Sequence, residues 1–223
     1  MSISKDKISV EIWSDIMCPF CYIGKRKFEK ALSQFPQREH IEITWKSFQL
    51  APEMKTDKNK SIHQYLSEHK GFSLEEAKRM NDYVTKMALE QGLVYNFDIS
   101  IVANSFKAHQ FTHFAKKHGK QDEAEEKLFK AYFTDGKNID DNQTLIQLGL
   151  ELELDGDLLK SVLENNTYAN KVQEDIYEAQ QVGVRGVPFF VFDRKYAVSG
   201  AQDSQVFLGA LEKSFNERKQ IQE

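Results

Sequence analysis

Hydrophobic and polar positions follow strand periodicity only near the two ends of the chain. Residues 10–13 and 41–45 have the alternation or the β-branched and aromatic content of short strands. Between them Phe28, Leu32 and Phe35 recur at helical spacing. The N-terminal pattern therefore predicts a strand, a helix and a second strand.

From about residue 53 to Gly183 the periodicity is helical. Apolar side chains recur three and four residues apart, and Ser73 with Glu76 matches a capping box. The charged residues 54–60 predict a surface loop. Helices are predicted over residues 61–70, 73–92, 104–118, 122–133, 142–152 and 157–163. Because these segments show no fixed repeat period, they predict one helical insertion and not a repeat array.

Strand signals return only after Gly183. The segment 184–192 and residues 196–198, separated by a charged turn, predict a hairpin. A helix capped by Thr167 precedes the hairpin, and residues 200–203 start a terminal helix. The chain therefore predicts an α/β domain, residues 1–52 and 166–223, which is split by a helical insertion, residues 53–165.

Composition and charge narrow the classes of function. The chain has 223 residues, of which 40% are hydrophobic and 29% charged, an ordinary balance for a soluble globular protein. With a formal net charge of −4 and no basic stripe, nucleic acid is not an expected partner. Residues 1–7 are polar and lack the apolar run of a secretory signal, and no stretch is long enough to span a membrane. A cytoplasmic location is expected.

The strongest chemical signal is Cys18-Pro19-Phe20-Cys21, where the first strand passes into the first helix. Pro19 suits a first helical turn, in which its missing N–H costs nothing. A thiol at a helix N-terminus faces unpaired N–H groups and the positive end of the helix dipole, which both favour the reactive thiolate. One turn later, a second thiol can resolve a mixed disulfide formed at the first. Cys18 is thus the predicted nucleophile and Cys21 the predicted buried resolving thiol.

Two other interpretations of this CxxC motif carry less weight. Half a zinc site would need further ligands, and the chain has no other cysteine. Two cysteines that only pack are the second alternative. A CxxC at the junction of a strand and a helix, followed by another strand, is typical of a thioredoxin-like fold. The predicted fold is therefore a thioredoxin-like α/β fold interrupted by a large all-helical insertion.

Pro188 begins a predicted strand, where a residue without an N–H is a poor partner. Its position suggests a cis Val187–Pro188 bond beside the CxxC, which would leave the Val187 backbone free to pair with an extended substrate. A trans proline that merely begins the strand is the alternative.

Other polar residues carry weaker signals. His109 and His113 are four apart on a predicted helix, but without a carboxylate at matching spacing no metal site is expected. Nearby charged residues are expected to form a solvated helix face: Lys116, Lys117, Glu123, Glu125 and Glu126.

Four segments make the chain similar to the DsbA family, and within it to the FrnE-type oxidoreductases: residues 15–22, 104–109, 183–188 and 200–202. The resemblance implies a thioredoxin fold with an inserted helical domain and a dithiol/disulfide site built from Cys18, Cys21 and a cis Pro188. It also implies that Asn104 and His109 face that site from the helical domain. The family often has Trp where this chain has Phe20, a change that implies altered access and redox potential. The second cysteine pair of some relatives is absent here, which excludes mechanisms that need one.

A neighbouring branch, the kappa-class glutathione transferases and the 2-hydroxychromene-2-carboxylate isomerases, shares this architecture. Its members bind glutathione with a serine near the position of Cys18. By this resemblance glutathione, as substrate or reductant, would bind near Val187 and residues 200–202. No other cofactor is expected.

Three functions are therefore weighed, in descending order: a thiol–disulfide oxidoreductase, a glutathione-dependent isomerase or transferase, and a non-catalytic peptide-binding module. The expected partner is a protein or small molecule with a disulfide or dithiol; no pattern predicts an oligomeric state. The predicted catalytic residues are Cys18 and Cys21. The predicted substrate-binding residues are Pro19, Phe20, Asn104, His109, Val187, Pro188, Gly200 and Gln202.

Overall fold

The computed structural model describes residues 7–222, with side chains to residue 219. Most of the polar segment 1–7, on which the expected location rests, lies outside the described residues. In chain order the elements are β1 (Ile8–Ser14), α1 (Pro19–Gln34), a 3₁₀ turn (Arg38–His40), β2 (Ile41–Ser47), β3 (Asp57–Ser61), α2 (Ile62–Lys70), α3 (Leu74–Leu89), β4 (Ile101–Val102), α4 (Phe106–Lys117), α5 (Gln121–Phe133), α6 (Asn142–Leu150), α7 (Gly156–Glu164), α8 (Ala169–Gln181), β5 (Phe189–Phe192), β6 (Tyr196–Ser199) and α9 (Ser204–Gln222).

Both ends of the chain contribute to one four-stranded sheet with the order β2-β1-β5-β6. β1 pairs in parallel with β2, so that Ile12 lies opposite Trp45, and antiparallel with β5, so that Ile12 also lies opposite Phe190. Every residue of β1 is buried, as expected for a central strand covered on both faces. The predicted α/β fold with a long interruption is confirmed.

Helices cover both faces of this sheet. On one face α1 and α9 pack through aromatic rings, with the Phe190 centroid 5.5 Å from that of Phe28 and 4.6 Å from that of Phe207. On the other face α8 packs over Trp13, whose Nε1 donates a hydrogen bond to the Asp175 carbonyl at 3.0 Å. The N-terminus of α1 therefore follows the carboxyl end of the central strand β1 in a three-layer arrangement.

The insertion forms a second core that continues into the first helix. Its buried aromatic residues include Phe111 and Phe129, and the same cluster includes Cys18, Cys21 and Tyr22 of the CxxC region. The cysteine pair thus lies where the sheet domain and the insertion meet. Within residues 7–222 no helix has the length and apolar character required to cross a membrane.

Several local predictions agree with the structure, and others differ from it. The Ser73–Glu76 capping box is present, and Ser61 with Gln64 forms a second one. The predicted loop 54–60 instead contributes β3, which pairs with β4, so the insertion is mainly but not wholly helical. Strand formation here depends on a distant partner, which the polar sequence of β3 does not reveal. α8 begins one residue later than predicted, after Tyr168. The boundaries at residues 52/53 and 165/166 stay predictions.

Candidate active site

Cys18 is the N-cap residue of α1, with Pro19 in the first turn. Its backbone is extended (φ −87°, ψ 112°), and its N–H donates to the Asp15 carbonyl at 2.9 Å. The Cys21 N–H donates to the Cys18 carbonyl at 3.0 Å, which brings the second thiol one turn down the helix. Both thiols are free; Cys18 is 4% exposed and Cys21 is 0% exposed. A reagent can therefore reach the pair only at Cys18.

The two thiols differ in their electrostatic surroundings. Burial, followed by the neighbouring Cys18, raises the pKa of the Cys21 thiol well above its ordinary value. The Ser14 hydroxyl and the Asp15 backbone act in the opposite direction but do not outweigh burial. Cys21 is therefore protonated in the free dithiol, which suits a thiol that acts second.

The Val187–Pro188 bond is cis, as predicted. The Val187 carbonyl accepts a hydrogen bond from Cys18 Sγ at 3.4 Å, so this group is engaged by the thiol and not free. Behind it, the N–H of Gly200 donates to the Pro188 carbonyl at 2.8 Å, with Gly200 in the left-handed region (φ +82°). Val187, Pro188 and Gly200 thus form one structural unit beside the nucleophile. Gln202 is exposed, and its side chain caps the Ser199 carbonyl at 2.9 Å.

Gly24 fixes how closely α1 approaches Pro188, and the sequence pattern did not single it out. A Cβ placed on Gly24 would lie 2.9 Å from Pro188 Cγ, closer than real Cβ atoms approach other atoms. We expect Gly24→Ala to lower the free energy of unfolding by about 1–2 kcal/mol, because overpacking outweighs the gain in helix propensity. Urea unfolding of the reduced protein measures this change.

Gly209→Ala is the matched control for that substitution. Gly209 also lies in a helix, α9, but a Cβ there would meet no atom within 4 Å. Its replacement should therefore stabilise the protein, by up to about 1 kcal/mol. A Gly24→Ala variant that was equally stabilised would show that Pro188 can retreat without cost.

Tyr22 of α1 and Tyr95 of the insertion link the CxxC region to the insertion. The Tyr95 hydroxyl donates to the Pro19 carbonyl at 2.6 Å, and burial raises the pKa of Tyr95, which keeps this donor protonated. The Tyr22 ring stacks on Phe129 of α5 at 4.9 Å. No spacing in the sequence pointed to Tyr95, because its contact with Pro19 joins segments 76 residues apart.

A charge cluster around the buried Lys25 joins α1 to α5 and corrects part of the predicted solvated face; Lys116, Lys117 and Glu123 are exposed as predicted. The buried Lys25 Nζ lies 3.2 Å from Asp122 Oδ2 and 3.3 Å from Glu126 Oε2, and Lys25 also pairs with Glu29. Burial alone would lower the pKa of Lys25, but these carboxylates raise it further than burial lowers it. Helix α5 turns the partly buried Glu126 towards α1, so this position lies at an interface and not on a solvated face.

Glu125 departs furthest from the predicted solvated face. It is 2% exposed, and its Oε2 has no hydrogen-bond partner among the described residues. Burial, with a further contribution from Asp122, raises its pKa to about 8. Lys25 acts in the opposite direction, and Asp15 raises the pKa slightly more. A carboxyl that is neutral around pH 7 therefore lies in the core near the active-site helix.

The two helical-domain residues implied by the family resemblance occupy different places. Asp15 and His109 are both fully buried, with 3.5 Å between Asp15 Oδ1 and His109 Nε2, which is long for a hydrogen bond. Because Asp15 also adjoins Cys21 through its backbone, His109 lies behind the CxxC. Asn104 instead donates to the carbonyls of Pro52 and Met54 at 3.1 and 2.8 Å, so it shapes the loop after β2.

His109 and His113, four residues apart on α4, contact different partners. His113 Nε2 lies 3.2 Å from Ser47 Oγ and 3.1 Å from Asp175 Oδ2, in a network separate from that of His109. Among residues 7–219, no three or more His, Cys, Asp or Glu side chains are grouped as a metal site requires.

Comparison with known proteins identifies the family. The model of the DSBA-like thioredoxin domain matches residues 9–212. The chain belongs to the DSBA-like thioredoxin family. It is 28% identical over 209 residues to the uncharacterized protein YwbO of Bacillus subtilis (strain 168), a match that covers 92% of this chain and 96% of YwbO.

Solved structures agree with this assignment to the DSBA-like family. The crystal structure of the probable DsbA oxidoreductase SCO1869 from Streptomyces coelicolor is 37% identical, with a TM-score of 0.88, and the match covers 94% of this chain and 91% of that one. A 2-hydroxychromene-2-carboxylate isomerase shares the fold at a TM-score of 0.70 with 15% identity, covering 96% of this chain and 98% of that one. The FrnE-type subdivision stays a prediction.

Proposed function

We propose that this DSBA-like protein is a thiol–disulfide oxidoreductase. The observation that carries the proposal is Cys18 at the N-cap of α1, with its Sγ on the Val187 carbonyl of the cis-proline loop and Cys21 buried one turn below. Helix N-termini favour thiolates, and a second thiol one turn away can resolve a mixed disulfide formed at the first. Family membership supports the same class of reaction.

The proposed reaction has two steps. The Cys18 thiolate attacks one sulfur of a substrate disulfide, forming a Cys18–substrate disulfide and releasing the other sulfur as a thiolate. Cys21 then loses its proton and attacks Cys18 Sγ, which releases the second substrate thiol and leaves a Cys18–Cys21 disulfide. The two protein thiols supply both electrons. Run in reverse, the same steps oxidise a dithiol, and the direction depends on the redox poise, where 30 mV corresponds to about 1.4 kcal/mol.

Selective alkylation and a single turnover test this proposal. Iodoacetamide should modify Cys18 of the reduced protein and spare Cys21, which is buried and protonated. Reduced protein mixed with excess 2-hydroxyethyl disulfide should release two thiols per chain and form a Cys18–Cys21 disulfide, which peptide mapping by mass spectrometry detects. Equal, slow alkylation of both cysteines with no disulfide formed would reject the proposal.

Glutathione-dependent isomerisation or transfer ranks second. The shared fold of the isomerase structure supports it. This reaction, however, would assign no role to the second thiol, Cys21. It predicts glutathione binding that survives Cys21→Ser, with no Cys18–Cys21 disulfide formed in turnover. A non-catalytic module ranks third and predicts that Cys18→Ser changes nothing. We propose a disulfide- or dithiol-containing substrate, and the cytoplasm as the compartment, where paired cysteines are more often catalytic than structural.

A further inference from the structure

Ser14 is a buried polar residue at the carboxyl end of β1, shortly before the CxxC. It is 1% exposed, and its carbonyl accepts a hydrogen bond from the N–H of Phe48 at 2.9 Å. It also lies opposite Ser47 in the parallel pairing of β1 with β2. The sheet therefore holds the backbone of Ser14 in place on both counts.

The Ser14 hydroxyl has no hydrogen-bond partner among the described residues. Buried hydroxyls are nearly always paired, because an unpaired one loses its hydration without compensation. The reactive group that this hydroxyl adjoins is the fully buried Cys21 thiol. A neutral thiol is a weak hydrogen-bond acceptor, whereas a thiolate carries a charge and accepts strongly. The hydroxyl therefore gains a strong partner only when Cys21 loses its proton.

Resolution requires a thiolate at Cys21, where burial disfavours charge. The Ser14 hydroxyl and the backbone of Asp15 oppose this effect and lower the pKa of the Cys21 thiol. The two groups are adjacent in the chain, at the point where β1 ends. Fixed donors that face an atom on which negative charge develops are the arrangement found in oxyanion holes. Here the atom that ionises is a sulfur.

The titratable groups around Cys21 are engaged elsewhere. The Tyr95 hydroxyl donates to a backbone carbonyl of the CxxC, and Lys25 of α1 is paired with carboxylates. The Asp15 carboxylate accepts from backbone N–H groups, and Glu125 of α5 lies close enough to Asp15 for the two charges to interact. A carboxylate beside a thiolate repels it. The hydroxyl and the backbone group at the end of β1 are thus the donors suited to this sulfur.

We infer that Ser14 is a catalytic residue of the resolving step, in which its Oγ–H donates to the Cys21 sulfur as that sulfur ionises and attacks Cys18. The inference rests on the proposed oxidoreductase function and adds a residue to it. Cys21 releases its proton, its thiolate forms a bond to Cys18 Sγ, and the bond from Cys18 Sγ to the substrate sulfur breaks. The leaving substrate thiolate takes up a proton, so electrons and protons balance. Ser14 keeps its own proton throughout.

A chromogenic disulfide, dithiobis(nitrobenzoate), separates the two steps of a single turnover. Mixed in excess with reduced protein, it should release one coloured thiolate as Cys18 is modified, at a rate proportional to the reagent concentration. The second coloured thiolate leaves when Cys21 displaces it from Cys18, at a rate independent of that concentration. Stopped-flow absorbance at a series of pH values measures both rates, and the second rate reports resolution.

Ser14→Ala is expected to slow the second phase about tenfold at pH 7 and to move its pH dependence about one unit higher, because a hydrogen bond to a charged sulfur is lost. The first phase, which reports Cys18, should keep its rate. Ser214→Ala, a buried serine of α9 whose hydroxyl donates to the Ala210 carbonyl, is the control and should leave both phases unchanged.

A second pair of variants isolates the hydroxyl from the shape of the side chain. Threonine and valine have nearly the same shape, and only threonine carries a hydroxyl. Ser14→Thr should therefore resolve about tenfold faster than Ser14→Val. Should Ser14→Ala not fold, this pair decides alone. The redox equilibrium with glutathione should be the same in wild type and in Ser14→Ala, because Cys21 is protonated in the dithiol and the hydroxyl acts only while the charge exists.

Equal second-phase rates in Ser14→Thr and Ser14→Val, or an unchanged rate in Ser14→Ala, overturn the role of Ser14 and leave the proposed function intact. If wild type shows no second phase and forms no Cys18–Cys21 disulfide, the proposed function fails instead. The donor contact is then tested in the Cys18→Ser variant, where Cys21 is the one remaining thiol and the carbon-13 resonance of its Cβ follows its ionisation. Adding Ser14→Ala should raise the midpoint by about one pH unit, and an unchanged midpoint overturns the contact.

Discussion

Cys21→Ser is expected to turn the protein into a trap for its substrate. Cys18 would still attack a disulfide, but nothing one helical turn away could displace the bound half. Well-oriented intramolecular groups can act at effective concentrations of about 10⁵ M or more. Without added thiol, release from Cys18 should therefore slow by at least about a hundredfold. Intact-mass spectrometry would show one substrate half bound per chain.

Cys18→Ser is the matched control for this trap. Cys21 is fully buried, and its pKa is raised, so it cannot replace Cys18 as the attacking thiol. This variant should form no mixed disulfide on the time scale of the trap. Adduct on Cys21 in the Cys18→Ser variant would mean that the order of the two thiols is reversed.

The raised pKa of Cys21 also shapes the wild-type reaction. Resolution requires the Cys21 thiolate, and burial keeps the proton on this thiol at neutral pH. The second step should consequently accelerate as the pH rises, beyond the range in which an exposed thiol would already be ionised.

Much of this site could be predicted because local rules determine it. A cysteine followed by proline after a strand places Cys18 at a helix N-terminus, and a Gly-Val-Pro segment beside such a site indicates a cis bond. Both features depend on a few adjacent residues. The capping box at Ser73 is local in the same sense.

What could not be predicted depends on packing between distant segments. Tyr22 and Glu126 are hydrogen-bonded across 104 residues, and Lys25 forms an ion pair with the same glutamate, so the contact between α1 and α5 joins distant segments. A sequence with glutamates at three of four successive positions predicts a solvated face when the basic partner helix is not considered. The family resemblance implies that Asn104 faces the active site, but its side chain donates hydrogen bonds to the loop after β2.

Glu125→Gln is expected to remove a large part of the pH dependence of stability. In the unfolded chain this carboxyl ionises near pH 4.5, whereas in the fold it holds its proton to about pH 8. Between these values the folded state binds more protons than the unfolded state, so the free energy of unfolding falls as the pH rises. The decrease attributable to Glu125 at pH 8 is roughly 4 kcal/mol. Glutamine does not titrate and avoids this loss.

Urea unfolding of the reduced proteins at pH 5 and pH 8 measures the effect. Relative to wild type, Glu125→Gln should gain roughly 4 kcal/mol between the two pH values, whatever its stability at pH 5. Glu123→Gln, an exposed position two residues away on α5, is the control and should keep the wild-type profile. Lys25, Asp122 and Asp15 are retained in every variant. A constant difference across pH would mean that Glu125 is ionised in the fold and that Lys25 compensates its charge.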